Sequence, residues 1–155
     1  MKIGIIGPSK LRDANIIEKV ANIIAKSGHG IVMTPDKEST SEFFAQKYLE
    51  FGGKKIYSVI PLDDEEFGIK WVNTGVGEQI NCGTWRNQPE KLNEEADILI
   101  CIGYAVGVLA EIAYTKWFKP KPVYLIKELI SCELPKELKL DLKYVSIEEL
   151  KNVKF

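Results

Sequence analysis

One carboxylate, Glu111, stands in an otherwise apolar run, CIGYAVGVLAEIAYTKWF (101–118), and two glycines, Gly103 and Gly107, lie four apart just ahead of it. A helix opening near Val106 or Gly107 would present free backbone N–H groups and partial positive charge, which suits a phosphate. Gly107 allows a ligand to come close to the backbone there. Glu111 lies about one turn in, where its side chain projects back toward the helix start. The plainer reading has Glu111 balancing the positive end of the helix dipole, worth about 0.3–1 kcal/mol.

Arg12 and Arg86 are the only arginines in a chain that otherwise uses lysine. A planar, permanently charged fork can grip a phosphate or carboxylate at two points, so both positions suit anion binding. The alternative is a rim ion pair contributing little. Trp85 fits either stacking on a base or packing under its own loop. His29, the only histidine, follows the helix-stopping Gly28 and reads as a helix-end residue. Cys82, Cys101 and Cys132 are widely spaced, with no CxxC or Cys/His pattern, so neither a disulfide framework nor a zinc site is expected. Cys101 reads as core, and Cys82 as a thiol accessible for reaction. DDEEF (63–67) reads as a solvated loop, not a magnesium site. GPSK (7–10) departs from the phosphate-loop pattern of NTPases and no GxGxxG is present, so neither that class nor a dinucleotide oxidoreductase is favoured. No metal or cofactor is expected.

The elements that must position these residues alternate between strand and helix. KIGIIG (2–7) reads as a buried strand, then a helix over 14–27 with Ile16, Ile17, Val20, Ala21, Ile23 and Ile24 on one face and Gly28 as its stop. GIVMT (30–34) is a second strand. A helix follows, with Ser39 and Glu42 in capping-box spacing and Gly52-Gly53 at its end. KKIYSVIP (54–61) is a third strand. The polar stretch 62–86 has no sustained period, and a loop that long in a compact domain is more often functional than accidental. A short helix capped by Asn87, the strand DILICIG (97–103), the helix to about Phe118, and the strand KPVYLIK (121–127) come next. A last short strand and a helix capped by Ser146 and Glu149 end the order. This alternation predicts one α/β domain over 1–155, a three-layer, mostly parallel sheet with helices on both faces. Ligands of such sheets bind beyond the carboxyl ends of the strands, where strand order reverses.

The 155-residue chain has a formal net charge of −1 and no basic field, which argues against nucleic-acid binding. No apolar run reaches membrane-spanning length and no signal segment is evident, so a cytoplasmic protein is expected.

CIGYAVGVLAEIAY resembles the strand–turn–helix signature of the SLOG superfamily, which includes the LOG-type phosphoribohydrolases, often labelled "possible lysine decarboxylase". Gly103 matches the first glycine of its Gly-rich run, Gly107 the last, and Glu111 the glutamate. TWRNQPEKLNEEADILICIG resembles the Arg-Asn segment and the Ala-Asp that enters the strand, and MKIGIIGPSK resembles the opening strand with its phosphate loop, Ser9 at the serine. The resemblance reaches roughly residue 125. It implies a Rossmann-like domain that binds a nucleotide through Gly7, Ser9, Arg12, Gly103, Tyr104, Gly107 and Val108, and that pairs as a homodimer or higher homo-oligomer, with Trp117 and Phe118 available for contact. In hydrolytic members an arginine and the glutamate act on the N-glycosidic bond of a nucleoside 5′-monophosphate, here Arg86 and Glu111. The departures weigh against an ordinary hydrolase. Val108 replaces the threonine, Tyr104 and Ala105 replace glycines, and TPDKESTSEFF replaces a glycine-rich loop, with Asp36 set to repel phosphate unless Lys37 offsets it. The expectation is therefore a nucleotide or phosphoribosyl-ligand binder without turnover. The alternatives are the hydrolase using Arg86 and Glu111, and a structural relative whose pocket has closed around Tyr104.

Overall fold

The computed structural model describes residues 1–155. Seven strands form a single sheet: β1 (Lys2–Ile6), β2 (Gly30–Met33), β3 (Ile56–Ile60), β4 (Glu78–Asn81), β5 (Ile98–Cys101), β6 (Val123–Ile126) and β7 (Leu142–Val145). Their order is β4-β3-β2-β1-β5-β6-β7, and every pair is parallel. The five helices are α1 (Ala14–Lys26), α2 (Thr40–Glu50), α3 (Gln88–Glu95), α4 (Val106–Tyr114) and α5 (Ile147–Leu150). None is long and apolar enough to cross a membrane.

Strand residues alternate between two cores. Ile3, Ile5, Ile31, Met33, Ile98 and Ile100 pack under α1, α2 and α5, while Ile6, Val32, Leu99, Cys101 and Leu125 pack against α3 and α4. Both faces are covered, which is why these strands read as continuous apolar runs. Ile17, Val20, Ala21 and Ile24 of α1 are fully buried at the spacing of one helical stripe. The three-layer Rossmann-like architecture expected from the alternation is the observed one, and β1 and β5 are central neighbours paired from Ile3↔Ile98 to Ile6↔Cys101.

Several local readings are corrected. The stretch 62–86 contains the edge strand β4, paired to β3 from Tyr57↔Glu78 to Ile60↔Asn81. Residues 62–77 form a flap tied down by long-range bonds: Lys37 N donates to Trp71 O (2.8 Å), Asn73 N to Pro35 O (2.8 Å), and Asp36 and Val72 share an antiparallel bridge. Asn87 does not cap α3. The chain enters that helix through a 3-10 turn, Trp85–Asn87, and the Thr84 hydroxyl donates to Asn87 Oδ1 instead (3.1 Å). Ser39 caps α2 by accepting from Glu42 N (3.0 Å), but the Glu42 carboxylate goes to Glu38 N and to Asn73 Nδ2 in the flap (both 2.7 Å). The full capping box is at Ser146 and Glu149. α4 stops at Tyr114, where the ring of Phe118 stacks back on it at 5.3 Å.

Candidate functional site

Strand order reverses between β1 and β5, and a cleft of about 290 Å³ opens beyond their carboxyl ends, at the lower edge of the size range of small-molecule sites. Its wall is assembled from four connections. The β1–α1 turn gives Gly7 and Ser9, and the β2–α2 turn gives Thr34 and Asp36. Ser41 lies in the first turn of α2, and Trp85, Gln88 and Pro89 come from the approach to α3. The start of α4 gives Ala105, Gly107, Val108 and Glu111. No lysine or arginine lines it.

An anion in this cleft would therefore be held by amides and hydroxyls. The start of α4 is suited to that. Ala105 occupies the N-cap position, where an alanine has no side-chain acceptor, and no acid lies in the first turn. A Cβ added at Gly107 would meet nothing within 4 Å, so this glycine leaves room at the helix start. At Gly7 the opposite holds: a Cβ would lie 2.7 Å from Ile102 Cγ1, so glycine there lets β1 close against the chain leaving β5.

Glu111 is buried and accepts a hydrogen bond from Gln88 Nε2 (2.8 Å), which also donates to Thr34 Oγ1 (2.8 Å). Burial pushes the Glu111 carboxyl up to about 8; the Gln88 bond opposes the shift and the charge of Asp36 adds to it. Asp36 is likewise raised to about 6, by burial first and by Glu42 second. The Lys37 amine donates to Lys70 O (2.8 Å). The site thus holds a carboxyl that is predominantly protonated at neutral pH beside one that is predominantly ionised.

The sequence-derived residues separate into two groups. Gly7, Ser9, Gly107, Val108 and Glu111 meet in the cleft wall. Gly103, Tyr104, Arg12 and Arg86 do not line it. Gly103 turns the chain after β5 at φ +131°, a conformation glycine adopts without strain. That turn sends Tyr104 away, to donate from its hydroxyl to Cys132 O (3.1 Å), so the pocket is not closed around Tyr104. Arg12 sits on the exposed turn ahead of α1. Arg86 is exposed and faces a separate depression with Asp63, Asp64, Glu65, Glu66 and Phe67, so the structure does not bring Arg86 and Glu111 together. Trp85 satisfies both of its readings. It lines the cleft, and its Nε1 donates to Phe67 O in the flap (2.7 Å). Cys82 is buried and its thiol is pushed up to about 11, which makes it inert rather than reactive.

Gln88 and Thr34 are the site residues the sequence reading missed. Gln88 shares the buried face of α3 with Leu92 and Asn93. A polar side chain on the apolar face of a helix is the signal that marks it.

No protein-family model matches the chain, and no curated protein matches it. Solved structures do. The chain is similar to the molybdenum cofactor binding protein from the phototrophic bacterium Rippkaea orientalis, at a TM-score of 0.74 and 20% identity over 96% of this chain and 91% of that one. It is also similar to the Moco carrier protein from Chlamydomonas reinhardtii, at a TM-score of 0.75 and 19% identity over 96% and 91%. The likeness establishes the fold, one shared with proteins that bind a small molecule.

Proposed function

We propose that the chain is a SLOG-type domain that binds a nucleotide or related phosphoribosyl ligand in the β1–β5 cleft without turning it over. The observation that carries this reading is the uncapped start of α4, opening on a switch-point cleft beside Gly7, Ser9 and Gly107. In this reading the Gly107 and Val108 amides and the Ser9 hydroxyl hold the phosphate, which completes the helix cap that Ala105 cannot supply. Glu111, neutral at physiological pH, faces the ligand without repelling it.

Two features weigh against hydrolysis. Stabilising an oxocarbenium-like sugar calls for a negative carboxylate, whereas burial keeps Glu111 protonated. The arginine that would accompany it faces another depression. Proteins of this fold named for binding or carrying a cofactor support retention rather than turnover, and make the molybdenum cofactor a second probe. The outer face of α4 supports self-association. From Val106 to Tyr114 the only charged side chain is the buried Glu111, and Val106, Leu109 and the following Trp117 are exposed.

Calorimetry against the four ribonucleoside 5′-monophosphates and the molybdenum cofactor, with chromatography for free base, tests this. Binding without base release is expected. Ala105→Asp gives α4 its own cap, so it should raise stability by about 1 kcal/mol and weaken ligand binding by about tenfold or more. Free base that disappears in Glu111→Ala would establish hydrolysis instead. An absence of binding to every probe would overturn the reading.

A further inference from the structure

A cavity of about 710 Å³, larger than the switch-point cleft, lies between α1, α5 and the residues that follow α5. Both helices cover the sheet face opposite α3 and α4, and the cavity shares no lining residue with the cleft. Its floor is apolar: Ile147 and Leu150 are buried, while Ile23, Val153 and Phe155 are half-buried. The walls are tied down by contacts of their own. The Phe155 ring packs edge-on against Tyr124 at 5.7 Å, and the Phe155 carbonyl oxygen lies 3.3 Å from His29 Nε2. Val153 N donates to Leu150 O (3.2 Å).

The rim is cationic. Lys19, Lys26 and Lys151 line it with a single acid, Glu148, and the Lys151 amine already occupies both Glu148 oxygens (2.6 and 2.8 Å). Lys19 and Lys26 enter none of the ion pairs of the fold. Asn22 lies between them with its side-chain oxygen sealed and without a partner, so the end of the amide that a ligand can reach is the donor. The α1 lining runs from Lys19 to Ser27, about 12 Å at 1.5 Å per residue, the length of an extended chain of about ten carbons.

Floor and rim together narrow the occupant. The volume falls in the range of small-molecule sites. A cation is repelled by the two free amines, and a small hydrophilic anion leaves the apolar floor in water. A molecule with an apolar chain and one anionic head satisfies both. We propose that the α1–α5 cavity is a second ligand site that takes a single medium-chain carboxylate, its chain on Ile23, Ile147, Leu150, Val153 and Phe155 and its head held by the free amines of Lys19 and Lys26. This site stands apart from the β1–β5 cleft and does not depend on the nucleotide reading.

Calorimetry with decanoate, octanoate and decyltrimethylammonium, each below its micelle-forming concentration, tests the assignment. Decanoate should bind, octanoate should bind about tenfold more weakly for the two methylenes it lacks, and the cation of equal chain length should not bind. Lys19→Gln/Lys26→Gln changes two exposed side chains, with circular dichroism confirming the fold. It should weaken decanoate about fivefold or more and leave the chain-length dependence as it was. Nuclear magnetic resonance should show decanoate shifting amides of α1 and α5. Equal binding of decanoate and the cation, or an unchanged decanoate affinity in the double variant, overturns the role of the two lysines and with it the proposal. Shifts confined to α4 or the β1–β5 cleft overturn it, as does a failure of decanoate to bind. Capture by anionic phospholipid vesicles without uptake of monomeric decanoate overturns it too, and makes this face a membrane contact.

Discussion

α3 anchors two buried polar clusters, and they differ in what they leave open. Near its start, Gln88 ties Glu111 to Thr34, beside an Asp36 oxygen that has no partner and a cleft that is open. Toward its other end, Asn93 donates from Nδ2 to Pro89 O (2.9 Å) and Glu111 O (3.0 Å), and its carbonyl and side-chain oxygens accept from the buried Lys121 amine. The second cluster is closed. It pins α3 to α4 and to the segment entering β6, and so sets where Gln88 meets Glu111. A polar cluster complete in itself rigidifies the fold, whereas one left short of a donor keeps an acceptor unsatisfied.

Breaking the closed cluster should have the largest effect. Asn93→Leu removes the two Nδ2 bonds to the Pro89 and Glu111 carbonyls and the 3.4 Å bond from Lys121 to Oδ1, while the backbone carbonyl of residue 93 still accepts from the Lys121 amine. A loss of about 2 kcal/mol in urea unfolding is expected, from the Pro89 and Glu111 carbonyls left without their donor in the interior. Full recovery of stability in the single variant would mean the cluster is not what fixes α3.

Titration should separate the clusters more finely. Folded Glu111 has its carboxyl raised from 4.5 to about 8, so between those values the native state holds a proton the unfolded chain has lost, and stability falls as pH rises through that window. Lys121 is lowered from 10.5 to about 8, chiefly by burial, which on its own makes stability rise with pH between those values. Burial also raises the Cys82 thiol from 9.0 to about 11 and the Cys101 thiol from 9.0 to about 12, and both oppose that rise. A plot of Tm against pH should fall through the Glu111 window, by on the order of a few kcal/mol, with Asp36, raised from 3.8 to about 6, adding to the fall at its lower end. Glu111→Gln should flatten most of that fall. A Glu111→Gln variant that keeps the full slope would place the titrating group elsewhere.

The scaffold was readable where burial dictates residue type. The apolar runs of β1, β2, β3, β5 and β6 face two cores, and the stripe on α1 faces one, so pattern and position agree. β4 escaped because it is an edge strand. Glu78, Gln79 and Asn81 are exposed, and only the register with β3 makes a strand of them. Gly7, Gly107 and Glu111 could be placed at the cleft because strand, turn and helix position them by local geometry alone. Arg86 faces away from the cleft for a local reason as well. In a 3-10 turn successive side chains diverge by about 120°, so Trp85 turns into the cleft and its neighbour turns out. Gln88 depends on a contact with a helix twenty-three residues away, which no spacing rule supplies.

The mildest test concerns the two faces of α4. Its inner face is fixed by Val108, Glu111 and Ile112, all buried, while its outer face is apolar without being covered. A helix apolar on every side is ordinarily enclosed, and a second copy meeting the same face would enclose it. Leu109→Lys and Trp117→Lys place charge on that face at positions 42% and 70% exposed. Each should change the fold's own stability by no more than about 0.5 kcal/mol, as substitutions outside a core do. Each should nevertheless lower the mass measured by light scattering, and make it depend on concentration where the unmodified chain does not. If the unmodified chain runs as a monomer throughout, the outer face is bare in solution and the ligand cleft must act within one copy.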